Sequence, residues 1–453
     1  MENQGRLADH WIAARGKTMH LNEMKINVKG LLFYSIILLM LINLILPGIM
    51  GAWSKTDGAV AYTYVFNYSN FTSACSSIAI LLLYILLAFC ISSHQKRGKI
   101  NLIIALSILI FFIWCMISVF EANIHEIFLS DISINLGLVP LFYLLGYDKT
   151  VFESAKKVIP YIIVTMVVLI LWGSISFILQ YGISVETRSS PSKEMFSVLI
   201  SAYWCYALGM SDNRSTHKSF KYILGICLLI CAFLIRSRSW VIQSVFILYS
   251  IMVVGVGKNS LLRKILSVSI VLLVFILMIV LLPNVTGALF NRIGEDTRSG
   301  QYEIFFSQVS PLSLLWGNGL NAGYSYLGNP NYKYFDNQYI YIMFHYGMVP
   351  ILCMIGVVSP LFRRMKRMSL NKDEKTFLFG CRLMSIFFLA ALGGLSVYYK
   401  LGWNLNTLLV FIFIGRAHKM VKESRKVPLK NNNIQTETST TINRNLMRTT
   451  VNN

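Results

Sequence analysis

The stretch PNVTGALFNRIGEDTRSGQYEIFFSQVSPLSLLWGNGLNAGYSYLGNPNYKYFDNQYIYIMFHYGMVP, residues 283–350, decides how the rest of the chain is read. It carries the long polar interval of an otherwise apolar protein, with Arg292, Arg298, Glu303, Asp336 and Asn337 set among many Gly, Asn and Tyr. Irregular loops beyond about 12–15 residues are as a rule functional or disordered. The aromatic content argues against a disordered linker, because those rings supply the apolar surface that offsets the entropy of ordering. Residues 284–337 are therefore expected to form a small folded cap over a membrane-embedded site, with an amphipathic helix over 301–309.

Outside that interval, apolar runs follow one another. Of 453 residues, 55% are hydrophobic and 13% charged, and the mean hydropathy is +0.59. That balance lies outside the range of soluble proteins of this length. Crossing a hydrocarbon core of ~30 Å takes about 20 apolar residues in a helix. Runs near that length occupy 30–46, 73–92, 100–119, 129–146, 158–179, 195–210, 221–235, 240–257, 265–283, 338–360, 377–399 and 403–415. The last is short and leans on neighbours such as Leu401. The chain thus reads as an all-α polytopic integral membrane protein of about 12 transmembrane helices. One large loop separates helices 9 and 10. The divisions are an N-terminal tail, 1–29; helices 1–9, 30–283; the loop, 284–337; helices 10–12, 338–415; and a C-terminal tail, 416–453, whose Asn/Thr-rich end is expected to be disordered. The first run is long for a signal-peptide core and more spans follow, so it reads as an uncleaved signal anchor. Met24 opens MKINVK and is a second candidate start beside Met1.

Charge gives the orientation. A net charge of +21 would suggest nucleic acid in a soluble protein. With the N-terminus inside, however, the inner segments hold 31 Lys and Arg and the outer loops nine: Lys55, Arg188, Lys193, Arg236, Arg238, Arg292, Arg298, Lys333 and Lys400. This is the positive-inside bias, so the charge is read as a topology signal and nucleic acid is not an expected partner. Both ends are then cytoplasmic and 284–337 lies outside. The eight cysteines all fall in apolar runs, which supports neither a disulfide framework nor a zinc site.

Chemistry is sought among the outer polar residues. Arg236 and Arg238, in IRSRSW, sit in a short outer turn between two spans. They read either as interfacial anchors or as ligands of a phosphate, which Arg binds bidentately while staying charged. Arg292 and Arg298, in NRIGEDTRSGQYEIF, either pair with Glu295, Asp296 or Glu303, or face the same anion. Asp336-Asn337 stands just before a span, where one residue is expected as a helix N-cap. Asp336 can also serve as a general base toward a sugar hydroxyl. His345, nine residues later, is expected to pack within the bundle, with a site role as the alternative. The run WGNGLNAGYSYLGNPNYKYF offers Trp316, Asn318 and Tyr324 for a glycan, and Asn337 and His345 extend that set. It lacks the phosphate-loop pattern GxxxxGK[ST].

With these residues in view, the chain resembles the O-antigen polymerase and ligase superfamily of bacterial envelope proteins. The resemblance rests on the layout and on three local patterns. These are Ser-Arg-Ser around Arg238, Arg298 followed by the aromatic-Gly-x-Gly turn at Trp316-Gly317-Asn318-Gly319, and Asp336-Asn337 followed after nine residues by Gly347. Ligases show His at the first position of the third pattern; Asp336 here looks more like the polymerases. The resemblance implies metal-independent, inverting glycosyl transfer at the periplasmic face of the bacterial inner membrane. The donor would be a growing glycan on undecaprenyl diphosphate and the acceptor a lipid-linked repeat unit. Arg236, Arg238, Arg292 and Arg298 would hold the diphosphate and Asp336 would be the base. No cofactor is implied. Membrane lipids, a chain-length regulator and a flippase are the implied partners. The rival readings are a ligase acting on lipid A-core, a lipid-linked oligosaccharide transporter, and a sensor or scaffold. Against transport, the charges cluster at one mouth rather than the bilayer midplane, and no repeat is visible.

Overall fold

Where Leu, Ile, Val and Phe run unbroken, the backbone polar groups have only each other to bond, and the described residues are mostly helical. The computed structural model describes residues 27–49, 51–56, 59–64, 69–94, 106–114, 134–182, 191–209, 215–235, 237–255, 297–333, 335, 337–362, 370–393 and 402–424, with single positions at 269, 272, 276 and 280. Helix α1 (Val28–Ile49) leads into a hairpin, β1 (Gly51–Thr56) and β2 (Ala59–Tyr64). Then come α2 (Ser69–His94), α3 (106–114), a 3-10 turn (Ile134–Leu138) opening α4 (Val139–Leu145), and α5 (Lys149–Tyr181). The bundle continues through α6 (Pro191–Gly209), α7 (Ser215–Leu234) and α8 (Arg238–Gly255). The polar stretch contributes α9 (Thr297–Gln308), α10 (Ser313–Trp316), β3 (Tyr324–Tyr326) and β4 (Asn329–Tyr332). Last are α11 (Gln338–Tyr346), α12 (Val349–Val358) with a 3-10 extension (Ser359–Phe362), α13 (Lys372–Leu392) and α14 (Leu405–Ser424).

Among the described residues, four stretches are long and apolar enough to cross a membrane: Val28–Ile49, Asn70–Ser92, Lys149–Tyr181 and Lys372–Leu392. Their side chains divide in the way a lipid-facing helix requires. On α5, Tyr161, Val164, Val168, Trp172, Ile175 and Leu179 recur every three or four residues and are exposed. The opposite face, with Ile159, Ile163, Met166, Ile170 and Phe177, is buried. A face of large apolar side chains is costly in water and ordinary in lipid. At 33 residues, α5 is about 50 Å long, longer than the ~30 Å of a hydrocarbon core, and its lysines, Lys149, Lys156 and Lys157, sit in its first turns.

The centre of the bundle is α6 from Met195 to Gly209 and the first part of α14, Leu405 to Gly415, where every residue is buried. At the crossing of α4 and α14, Gly146 lies against the Ile412 carbonyl and Gly415 against the Tyr143 carbonyl, with no room for a side chain at either. Small residues let backbones approach in this way, which is how membrane helices gain packing. Tyr143 stacks edge-on with His418 and bonds to it beside that crossing.

Polar contacts mark the two ends. Lys29, at the start of α1, pairs with Asp148 at 2.6 Å, and Asp148 caps α5 by accepting from the Thr150 and Val151 N–H groups. Lys419 of α14 donates to the Tyr147 carbonyl at 2.8 Å. The start of the first described helix and the last turns of the final one therefore meet at one end of the bundle. At the other end, Tyr181 donates to the Trp53 carbonyl at 2.9 Å, and Trp53 packs between Tyr62 and Phe177.

The structure departs from the sequence reading in three places. The chain is mostly rather than wholly helical, because residues 51–64 form the β1–β2 hairpin, paired from Gly51↔Tyr64 to Thr56↔Ala59. Asp57-Gly58 was its sequence signal. The expected span 338–360 is broken at Gly347, which has φ +81°. The last helix does not stop near 415 but runs to Ser424, since RAHKMVKES favours helix as well as the inner surface. Of the expected span 129–146, residues 129–133 lie outside the described residues and the rest is helical from Ile134 to Leu145, its first turn 3-10. Most of the expected spans 100–119 and 265–283 lies outside the described residues, as do 1–26 and 425–453.

Candidate functional site

The polar stretch folds around its own aromatic core. Helix α9, expected over 301–309, runs from Thr297 to Gln308 and turns Phe305 inward. Phe305 meets Tyr324, Phe335 and Phe344 at ring-centroid distances of 5.2, 4.9 and 5.3 Å. Leu314 and Ile340 close the cluster, which is separate from the core of the bundle. Two glutamines fix the strand to the helix. Gln301 donates to the Tyr324 hydroxyl at 2.6 Å. Gln308 donates to the Ser325 carbonyl at 2.9 Å and accepts from its N–H at 2.8 Å. Burial pushes the Tyr324 phenol up to about 12, against the Gln301 hydrogen bond, which lowers it. The hydroxyl therefore stays neutral at physiological pH.

Helix α11 belongs to both cores. Ile340 and Phe344 point into the cap, while Ile342 and Tyr346 point into the bundle. Asn337 is its N-cap, accepting from the Tyr339 and Ile340 N–H groups at 2.9 and 3.4 Å. The helix ends at Gly347, and the last four carbonyls of any helix lack intrahelical partners. Here each has one. The Met343 carbonyl accepts from Gly347 N–H, Phe344 from Asn318, and His345 from Gly319. The Tyr346 carbonyl accepts from the Trp114 indole. The turn at 316–319 thus seals a helix break that would otherwise strand polar groups.

That contact is backbone against backbone. A Cβ on Gly317 would lie 2.7–2.8 Å from Gly347 N, the His345 oxygen and the Tyr346 carbon. One on Gly347 would lie 2.6–2.8 Å from the Leu315 oxygen and Trp316 carbonyl atoms. Both glycines have positive φ, +85° and +81°. His345 is buried with Nδ1 2.9 Å from the Gly319 oxygen, so Nδ1 carries the proton. Its Nε2 is buried with no hydrogen-bond partner among the described residues.

The sequence candidates divide accordingly. Asp336, Arg236 and Arg292 lie outside the described residues. Arg238 is the first residue of α8 and Arg298 the second of α9. The flanking Ser237 and Ser239 hydroxyls are 3.3 Å apart. Among the glycan candidates, Trp316 is exposed and Tyr324 is buried. Asn318 is bound through Nδ2 and its N–H to the Phe344 carbonyl at 3.2 and 2.7 Å. Asn337 is the cap and His345 is held inside. Sequence reasoning did not find Trp114, Gln301 or Gln308. Trp114 lies inside an apolar run, 232 residues from its partner, and nothing in the sequence joins the two.

The fold and the apolar faces define a mostly helical, candidate multi-pass membrane protein. Comparison with family models, curated proteins and solved structures gave no match.

Proposed function

We propose that the chain is a membrane glycosyltransferase that polymerises undecaprenyl-diphosphate-linked repeat units into O-antigen or a related surface polysaccharide. In this reading about twelve helices cross the bacterial inner membrane, both termini are cytoplasmic and the cap is periplasmic. One observation carries it: two of the three patterns behind the resemblance touch each other. The turn Trp316-Gly317-Asn318-Gly319 is bonded onto the break at Gly347, which follows the Asp336-Asn337 junction with nine residues between. Arg298 and Arg238 each open a helix, where free N–H groups and the helix dipole favour an anion.

The reaction then has assigned parts. Asp336 takes the proton from the acceptor hydroxyl as its oxygen attacks the anomeric carbon of the donor glycan. The bond to the diphosphate breaks with inversion. The leaving undecaprenyl diphosphate keeps the electron pair, and Arg236, Arg238, Arg292 and Arg298 stabilise the added charge.

A gel of lipopolysaccharide from the host with this gene deleted tests the reading. Core carrying a single repeat unit, with the ladder lost, is expected. Bare core with long glycan held on undecaprenyl diphosphate would make the protein a ligase instead. Untranslocated units inside would make it a transporter, and an unchanged ladder would remove it from the pathway.

A further inference from the structure

The segment that carries the cap onto the helix break exposes apolar side chains in a way that a water-facing loop does not. Leu312, Leu315 and Trp316 are 65%, 41% and 67% exposed, while Leu314 between them is buried in the cap. The polar groups of this turn are satisfied locally. The Ser310 carbonyl accepts from the Ser313 N–H and hydroxyl at 3.0 and 2.7 Å, and the Ser310 hydroxyl from Leu312 N–H at 3.3 Å. What remains outward is an apolar face.

Its neighbours say what covers it. Met348 N–H donates to the Leu315 carbonyl at 3.1 Å, which sets Leu315 at the head of α12. There Met348, Leu352 and Ile355, spaced four and three residues apart, are exposed. The Trp316 ring lies 6.4 Å from that of Trp114, at the end of α3, where Leu106, Leu109, Ile110 and Ile113 are exposed. Helices α3 and α12 are adjacent: a Cβ on Gly356 would lie 3.3 Å from the Ser107 hydroxyl. In a bilayer both stripes face acyl chains, and the face at 312–316 continues both. Leu and Trp together suit the boundary between acyl chains and headgroups.

We propose that Leu312, Leu315 and Trp316 form a wedge seated in the lipid bilayer at the rim of the bundle. The wedge anchors the cap, and the helix break beneath it, at the depth where a lipid-linked substrate would emerge. It rests on the reading of these helices as membrane spans and not on the sugar chemistry.

The test places a photoreactive benzophenone amino acid at position 312 or 315 of the full chain. Position 109 serves as the lipid-facing control and position 303, an exposed glutamate on α9, as the water-facing one. The purified protein is irradiated in vesicles of phosphatidylethanolamine and phosphatidylglycerol, and adducts are read by intact mass. Phospholipid adducts at 312 and 315 in the yield seen at 109, with none above background at 303, are expected. A full yield at 109 with none at 312 and 315 overturns the wedge, as does cross-linking of these positions to a second copy of the chain. No lipid adduct at 109 overturns the membrane reading beneath it.

Discussion

Gly317 and Gly347 face each other where the cap meets the broken helix, and both lie in a backbone region that essentially only glycine occupies. Alanine at either position costs about 1–3 kcal/mol in backbone strain, before the close contacts around its Cβ are counted. Gly317→Ala and Gly347→Ala are expected to lower the thermal midpoint of the purified protein in detergent and to open the cap to protease. Gly300→Ala is the control. Its Cβ meets nothing within 4 Å and it sits inside α9, so it should be stabilising by about 0.5–1 kcal/mol. His345 shows the same logic from the polar side: its Nδ1–H holds the Gly319 carbonyl.

Among elements, the contact that ties the start of α1 to the start of α5 runs through one carboxylate. Asp148 caps α5 and pairs with Lys29. Burial pushes its carboxyl up, but the Lys29 hydrogen bond and charge, with the Val151 and Thr150 N–H groups, outweigh this and hold it below its ordinary value. A depressed carboxylate contributes stability above its unfolded pKa, about 3.9, and loses that contribution as pH falls through the lower folded value. Asp148→Asn keeps a good cap and leaves Lys29 without its carboxylate. It should cost about 1–3 kcal/mol at neutral pH. Thermal unfolding in detergent at pH 7 and below pH ~4 checks the sign: the gap between wild type and variant should narrow in acid.

For the molecule as a whole, the proposed reaction draws on arginines from segments far apart in sequence, Arg236 before α8 and Arg298 on α9. Arg236→Ala and Arg298→Ala are each expected to abolish the polysaccharide ladder in a deletion strain while the protein still reaches the membrane. Arg298→Lys should restore little, since an ammonium cannot make the bidentate contact of a guanidinium with phosphate. Full-length polymer from the alanine variants, at normal protein levels, would contradict the diphosphate role.

By itself the sequence determined that the chain is helical and apolar enough to cross a membrane, because hydropathy and run length are local properties set by the solvent each segment can tolerate. It also marked a folded element in the polar stretch, described over 297–333, and placed α9 to within a few residues, since turn residues and amphipathic spacing are legible along one strand of text. The β1–β2 hairpin was legible in Asp57-Gly58 between alternating apolar residues, and the length of the surrounding spans obscured it. Only the tertiary structure decided that the span from 338 is broken at Gly347. A glycine in an apolar run is compatible with a continuous helix. The break is stable because Asn318, Gly319 and Trp114 supply donors to its carbonyls. Those partners come from 26 to 232 residues away, and hydrogen bonds at that separation leave no periodic trace in a sequence.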